Sequence, residues 1–483
     1  MNFGRGSLGS LRSVSLVAIL FLARTTLWSQ GSALPMEALQ QIQNLSLTSD
    51  YGYAQLDYLS NKIGPRMTGT PQTAAAVQWV ADQFRELGLD ASLEPVMVPH
   101  WVRGEEIAEL IAIPGAQPGV TQKLVITTLG GSVATPGGGI TASVVVVSDF
   151  AEMEKLGTDG VAGKIVLFNA AFDTKLADAG YAHDAYVRVV PYRVSGANRA
   201  GQLGAAAVLV RSIGPKTFRL AHTGSVVYGQ DAKIPAAAIA AEDAELIAHL
   251  AKQGTVKMHL VLTPKNLAPE KSANVIGDLK GSEHPEQIVI VSAHLDSWDL
   301  GTGAIDNGAG IAEIMQAARV FQQLKLKPKR TIRFIAWMNE ENAASVGNGY
   351  DQYREDHKAE LPKHMGNIEI DVGTSHPIGY ALYSSDSLRE ALRPLKKVLD
   401  PMSSGVVQIQ SYRGDFDDFM PNLEPLVDSR SYYDSHHTVA DTFAMIDPQG
   451  LRENAALIGV LGFAMASVPE EVIRHPKPPK SND

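Results

Sequence analysis

The sequence predicts an α/β protein: a mostly parallel central sheet flanked by helices, interrupted by an inserted β-rich domain. Three observations carry that expectation. From Ser272 onward, buried-type strands alternate with amphipathic helices, the pattern of a parallel sheet covered on its faces. Between 118 and 267, short β-branched runs alternate with Gly and Pro clusters, the pattern of a separate unit inserted into the first. The chain has 483 residues, 45% of them hydrophobic and 19% charged, enough apolar material for more than one core.

Residues 1–33 read as an export signal. Arg5 and Arg12 precede an apolar run over 14–22, and small residues follow up to Ser32 and Ala33. Arg24 closes the run well short of the roughly 20 apolar residues a membrane span needs. The expectation is a protein secreted or periplasmic after signal removal, with no membrane span left. The stretch 34–117 opens the first unit. In TPQTAAAVQWVADQFRELGL, Ala76, Val77, Val80, Phe84 and Leu87 recur at helical spacing, with Thr70 or Thr73 at the start and Gly88 as the stop.

In the insert, the segments LVITTL, SVVVVSDF, GKIVLFNA, AAAVLVRS, AAAIAAED and VKMHLVL read as strands, with a helical piece around 197–203. In 268–470, EQIVIVSAHLD and TIRFIAWMNEE read as strands, and NGAGIAEIMQAARVFQQL as a helix with Ile311, Ile314, Met315 and Ala318 on one face. GLRENAALIGVLGFAMASV reads as a final helix. The Pro- and Lys-containing stretch 471–483 reads as a disordered tail.

Composition narrows the chemistry. The chain has no cysteine, which excludes disulfides, thiolate nucleophiles and Cys-ligated metals. Any metal site must use His, Asp and Glu. The net charge of -10 argues against nucleic acid as a partner.

One arrangement then recurs through the second half: a hydrophobic strand runs out and acidic or His residues stand at its end. His294 and Asp296 follow IVIVSA, Asp306 opens a Gly-rich turn into a helix, Glu340 and Glu341 follow TIRFIAWMN, Asp371 follows NIEI, and His437 lies in SHHTVADT. Ligands in open α/β sheets bind beyond the carboxyl ends of the strands, so these residues are expected to share a crevice. Asp306, Glu340, Glu341 and Asp371 gathered there would repel strongly without cations. Two divalent ions would neutralise them. Imidazole and carboxylate without thiolate suit Zn²⁺, with Mn²⁺ or Co²⁺ as replacements, and Asp306 is the candidate bridge.

The segments HLDSWDLGTGAIDNGAG, WMNEEN, EIDVGTS and HHTVADT, in this order, resemble the ligand segments of the zinc-dependent exopeptidases that group bacterial aminopeptidases with glutamate carboxypeptidases. The resemblance runs from about residue 50 to 465, and the insert then resembles a protease-associated domain. It implies that His294 and Asp371 hold one zinc, that Glu341 and His437 hold the other, and that Asp306 bridges them. It implies Glu340 as the general base, and Asp296 as the group that accepts the second ring N–H of His294. His437 rather than His436 fits the family's His-Thr/Ser-x-x-Asp ending. Small peptides, dipeptides foremost, are the implied substrates, and a homodimer the implied assembly. An aminopeptidase acting on longer peptides is the alternative; a non-catalytic binding protein or a glutaminyl cyclase is a lesser rival. Asp299 is expected to shape its turn, His222 and Asp415 are weaker candidates near the substrate, and Tyr432 and Tyr433 read as packing, with lining of the pocket as the alternative.

Overall fold

A computed structural model describes residues 34–215, 218–229, 233–342, 347–409 and 420–473. The expected signal over 1–33, Asp415, and residues 474–483 of the expected tail lie outside the described residues. Residues 471–473 of the expected tail are helical instead. Glu470–Ile473 forms a helical turn, because Ile473 finds a place in the core at 2% exposure.

The main sheet has eight strands, in the spatial order Asp90–Val102, Lys265–Leu279, Arg330–Trp337, His284–His294, His364–Glu369, Asn422–Val427, Pro377–Tyr383, Val406–Ile409. Its centre is parallel: His284–His294 pairs in parallel with Arg330–Trp337 on one side and His364–Glu369 on the other, and Asn422–Val427 continues the run. Antiparallel pairs join the long strands Asp90–Val102 and Lys265–Leu279 to this centre.

Alternation along the strands makes a three-layer body. Val289, Val291, Ala293, Ile332, Phe334 and Ala336 face a core shared with Leu39, Ile42, Phe84, Ile311, Met315, Phe321, Leu457 and Leu461. Those partners lie on the helices Met36–Leu47, Pro71–Glu86, Ala309–Gln323 and Pro448–Met465. Ile288, Ile290, Ile335 and Trp337 point the other way, onto Tyr350 and Tyr353 of helix Gly349–Asp356. Period 2 in the strands thus divides one apolar run between two faces. Helix Pro71–Glu86 begins as its sequence predicts, with Thr70 accepting the backbone N–H of Thr73 and Pro71 at the first helical position.

The second sheet also has eight strands, in the order Gln122–Lys123, Glu106–Ala112, Lys257–Leu262, Ile140–Val147, Ile165–Phe168, Ala207–Arg211, Ala236–Ile239, Ile126–Thr128. It begins earlier in the chain than the sequence boundary near 118, since Glu106–Ala112 pairs antiparallel with Lys257–Leu262. No sharp composition change marks that crossing, and only the long-range pairing reveals it. The helical piece expected around 197–203 is the end of a longer helix, Ala182–Gln202. Its buried stripe of Ala182, Ala185, Val189, Arg193, Gly196, Ala197 and Ala200 keeps helical spacing through Pro191, so tertiary packing overrides the local helix-breaking signal.

Candidate metal centre

The strand ends are level: His294 stands opposite Trp337, and Ser292 opposite Glu369. Residues just past those ends therefore meet in one crevice. His294 closes its own strand, Glu340 and Glu341 come after Trp337, and Asp371 comes after Glu369. Asp306 comes from the turn ahead of helix Ala309–Gln323, and His437 from the loop after the 3-10 turn Ser429–Asp434.

Side-chain atoms group around Asp306 from two sides. His294 Nε2 lies 3.1 Å from Asp306 Oδ1 and 3.3 Å from Asp371 Oδ1. His437 Nε2 lies 3.1 Å from Asp306 Oδ2 and 3.0 Å from Glu341 Oε2. Asp306 Oδ1 thus faces His294 and Oδ2 faces His437, and each of these two imidazoles faces a second carboxylate. The trios His294–Asp306–Glu341 and Asp306–His436–His437 both offer donor atoms close enough for one metal ion. Glu341 Oε1 is buried without a hydrogen-bond partner among the described residues, a spare donor atom inside the cluster. This nitrogen and oxygen set, with no sulfur, fits a divalent ion of the zinc type.

The site opens on one side. The side chains of His294, Asp306, Glu341 and His437 are at most 7% exposed, whereas Asp371 is 42% exposed and Glu340 also reaches solvent. Electrostatics follow from the crowding. Desolvation, and then the charge of Asp306, pushes the Glu341 carboxyl up to about 7. Glu340 is held well above the usual carboxylate range, first by desolvation from the surrounding walls and then by Glu341, Asp371 and Asp296, against the opposing pull of His294. Desolvation would lower both His294 and His437, but the surrounding carboxylates outweigh it and hold the imidazoles well above their ordinary range.

The Asp296 carboxylate has a different job from the one expected. His294 Nδ1 sits 3.0 Å from the backbone carbonyl oxygen of Asp296, while the carboxylate comes no nearer than 4.0 Å. The carboxylate instead accepts the backbone N–H groups of Glu340 at 3.1 Å and Glu341 at 3.2 Å. Two backbone donors just past a strand end have no ladder partner, and one buried carboxylate satisfies both.

Other residues support the site from behind. Asp441 accepts the backbone N–H groups of Ile305 at 2.6 Å and Asp306 at 3.2 Å. Asn307 donates to the Ile370 carbonyl at 2.8 Å and accepts from Gly310 N–H at 3.1 Å, joining the start of the helix to the strand before Asp371. Arg66 is fully buried and donates to the carbonyls of Leu295, Gly64, Thr302 and Gly303 at 2.7 to 3.1 Å, which holds the loop over the site. Gly303 in that loop has φ +58, and a Cβ there would come within 2.3 Å of Ser297, so glycine is required. A lone Arg in an irregular lead-in carries no sequence signal for this role.

His436 also enters the cluster, its Nε2 3.3 Å from Asp306 Oδ2 and its ring stacked on His437 at 3.6 Å. Asp299 shapes its turn through a bidentate pair with Arg103, at 2.6 and 2.9 Å. His222 is buried next to His437, and desolvation, followed by the charges of His437 and Arg193, takes it down to about 3. Tyr432 and Tyr433 are buried against His436.

A helix-flanked sheet carrying His and carboxylate groups at the carboxyl ends of its strands defines the class of metal-dependent hydrolases. A family model described as Peptidase family M28 matches residues 274–461. Carboxypeptidase Q of Mus musculus is 33% identical over 449 residues, 91% of each chain. The crystal structure of a peptidase M28 precursor from Shewanella amazonensis superposes with a TM-score of 0.83 at 33% identity, over 92% of this chain and 99% of that one. Aminopeptidase YwaD of Bacillus subtilis is 26% identical over 97% of this chain and 95% of its own. The chain belongs to peptidase family M28. It is a peptidase, of the metal-dependent exopeptidase kind. No helix among the described residues is long and apolar enough to cross a membrane.

Proposed function

We propose that the protein is an exported binuclear zinc exopeptidase that hydrolyses small peptides, dipeptides foremost. The observation that carries this reading is the two-sided environment of Asp306, with His294 at one oxygen and His437 at the other. On this reading His294 and Asp371 hold one ion, Glu341 and His437 hold the second, and Asp306 is shared. When bound, the zinc pair polarises the scissile carbonyl and makes a water acidic enough to attack near neutral pH.

The chain's own groups do the rest. Glu340, on the open side and with a carboxyl held above its usual range, takes a proton from the attacking water and returns it to the leaving nitrogen. Asp296 fixes the backbone of Glu340 and Glu341, so that one carboxylate faces the metals while its neighbour faces the reacting atoms. A site closed on its buried side admits a chain end more readily than the middle of a polypeptide, which supports exopeptidase action. The similarity to aminopeptidase YwaD favours a second reading, removal of residues from longer N-termini.

Each part of the proposal has its own measurement. Purified protein should hold two zinc ions per chain; fewer than two overturns the binuclear reading. Glu340→Gln should abolish turnover while keeping the metal, and loss of zinc in that variant would make Glu340 a ligand rather than a base. Comparing a free dipeptide with its C-terminally amidated and extended forms separates dipeptidase from aminopeptidase action. Export is tested by sequencing the N-terminus of protein recovered outside the cytoplasm, and the homodimer by light scattering.

A further inference from the structure

The two halves of the site are supported by different parts of the fold. On the His294 side every support comes from the main sheet and its loops: the backbone carbonyl of Asp296 takes His294 Nδ1, and Asn307 ties to Ile370, next to Asp371. On the His437 side the support comes from a segment of the second sheet. Residues 221–226 lie between the strands Ala207–Arg211 and Ala236–Ile239, and Thr223 within them is fully buried. Its backbone N–H donates to the His437 carbonyl at 2.9 Å, and its own carbonyl lies 3.3 Å from His437 Nδ1. Two residues on, the Ser225 hydroxyl donates to the backbone carbonyl of Glu341. The segment therefore grips both residues assigned to the second ion.

Arg193 anchors that grip. It is carried on helix Ala182–Gln202 and is 7% exposed. Its Nη1 donates to the Thr223 carbonyl at 3.2 Å and lies 3.5 Å from His437 Nδ1, while Nη2 donates to Tyr186 Oη at 2.5 Å. Its Nε has no hydrogen-bond partner among the described residues, and no carboxylate among them pairs with it. Gly224 makes the fit possible, because a Cβ there would stand 2.4 Å from Arg193 Cζ. From the other side, the Thr223 hydroxyl donates to the Thr128 carbonyl at 2.9 Å. Arg103 donates to that same carbonyl at 2.6 Å and clamps Asp299 of the site loop.

We infer that the segment 221–226, with Arg193 behind it, positions the second metal site selectively, acting through His437 and Glu341. An imidazole that coordinates through Nε2 carries its proton on Nδ1, and the acceptor for that proton sets the ring's tautomer and angle. Here the acceptor is the Thr223 carbonyl, and its position depends on the Arg193 guanidinium. Arg193 and Thr223 are positioning residues; neither touches the reacting atoms. The inserted sheet is thereby part of the metal centre's construction.

The inference rests on the binuclear reading, and one experiment separates their failures. The full chain and its Arg193→Met variant are loaded with zinc and titrated with a chelator of known affinity, with near-UV circular dichroism recorded to follow the fold. The parent is expected to release two ions. Arg193→Met should keep one at parental affinity and bind the other roughly 10- to 100-fold more weakly, the usual cost of losing such an outer partner. Arg193→Lys, which still brings an N–H donor towards Thr223, should recover part of the loss. Arg199→Met removes an arginine from the same helix that pairs with exposed Glu154 and lies over the Phe150 ring, away from Thr223 and His437, and should leave both zinc affinities unchanged. Equal weakening of both ions, or two unchanged affinities in Arg193→Met, overturns the selective role and leaves the binuclear reading standing. A parent chain that binds a single zinc overturns both.

Discussion

Asp296→Asn separates what sequence and structure say about this residue. If the carboxylate took the ring N–H of His294, the substitution would loosen that ring and weaken metal binding. In the structure the backbone carbonyl does that work at 3.0 Å, and the substitution leaves it in place. What changes is the carboxylate's hold on Glu340 and Glu341 at 3.1 and 3.2 Å. Asparagine keeps one acceptor oxygen and turns an NH₂ towards the other backbone N–H, so one of the two bonds is lost. A hydrogen bond to a charged group contributes about 1.5–3 kcal/mol. If that energy holds Glu340 in its reactive position, kcat falls roughly 10- to 100-fold, since 1.36 kcal/mol is a factor of ten in rate. The assay is steady-state hydrolysis of a free dipeptide, with zinc content and melting temperature measured on the same samples. The expected result is a lower kcat with zinc retained. A variant that keeps its kcat within twofold, or that sheds zinc while folded, overturns this role for the Asp296 carboxylate.

Chelation should remove activity and lower the melting temperature, and zinc should restore both; ligand present at 1,000 times its Kd stabilises by about 4.1 kcal/mol. Arg66→Met removes the donor shared by four carbonyls under the site loop, and should cost about 4 kcal/mol or more in denaturant unfolding and reduce zinc retention. Glu313 is buried in helix Ala309–Gln323 with neither carboxylate oxygen partnered among the described residues, and burial holds its carboxyl well above the usual range. The folded chain therefore binds this proton more tightly than the unfolded one. Its stability is full below the ordinary carboxylate pKa and falls as pH rises towards the folded value. Glu313→Leu should accordingly stabilise by about 1–3 kcal/mol near pH 8 and by less near pH 5; denaturant midpoints at the two pH values check this.

Much of the fold was legible because its signals are local. The strand His284–His294 and the helix Ala309–Gln323 announce themselves by apolar runs and 3.6-residue spacing. Helix Ala182–Gln202 was legible only at its end, because Pro191 interrupts a stripe that packing nonetheless completes. The strand Glu106–Ala112 belongs to the second sheet although it precedes the expected boundary near 118, since its partner lies far along the chain at Lys257–Leu262.

For the site, residue types alone dictate the chemistry. A chain without cysteine that ends its strands with His294, Glu340, Glu341 and Asp371 can gather only imidazole and carboxylate, and like charges so gathered call for cations. Residue type and order along the chain suffice for that. The tertiary structure decided what orients each group. It gave Asp296 to the backbone of Glu340 and Glu341, put Arg66 under the loop, and brought Thr223 from a loop of the second sheet and Arg193 from helix Ala182–Gln202 to His437. Those partners are mostly backbone carbonyls and N–H groups, which every residue carries alike. Only the folded path of the chain decides which of them meet.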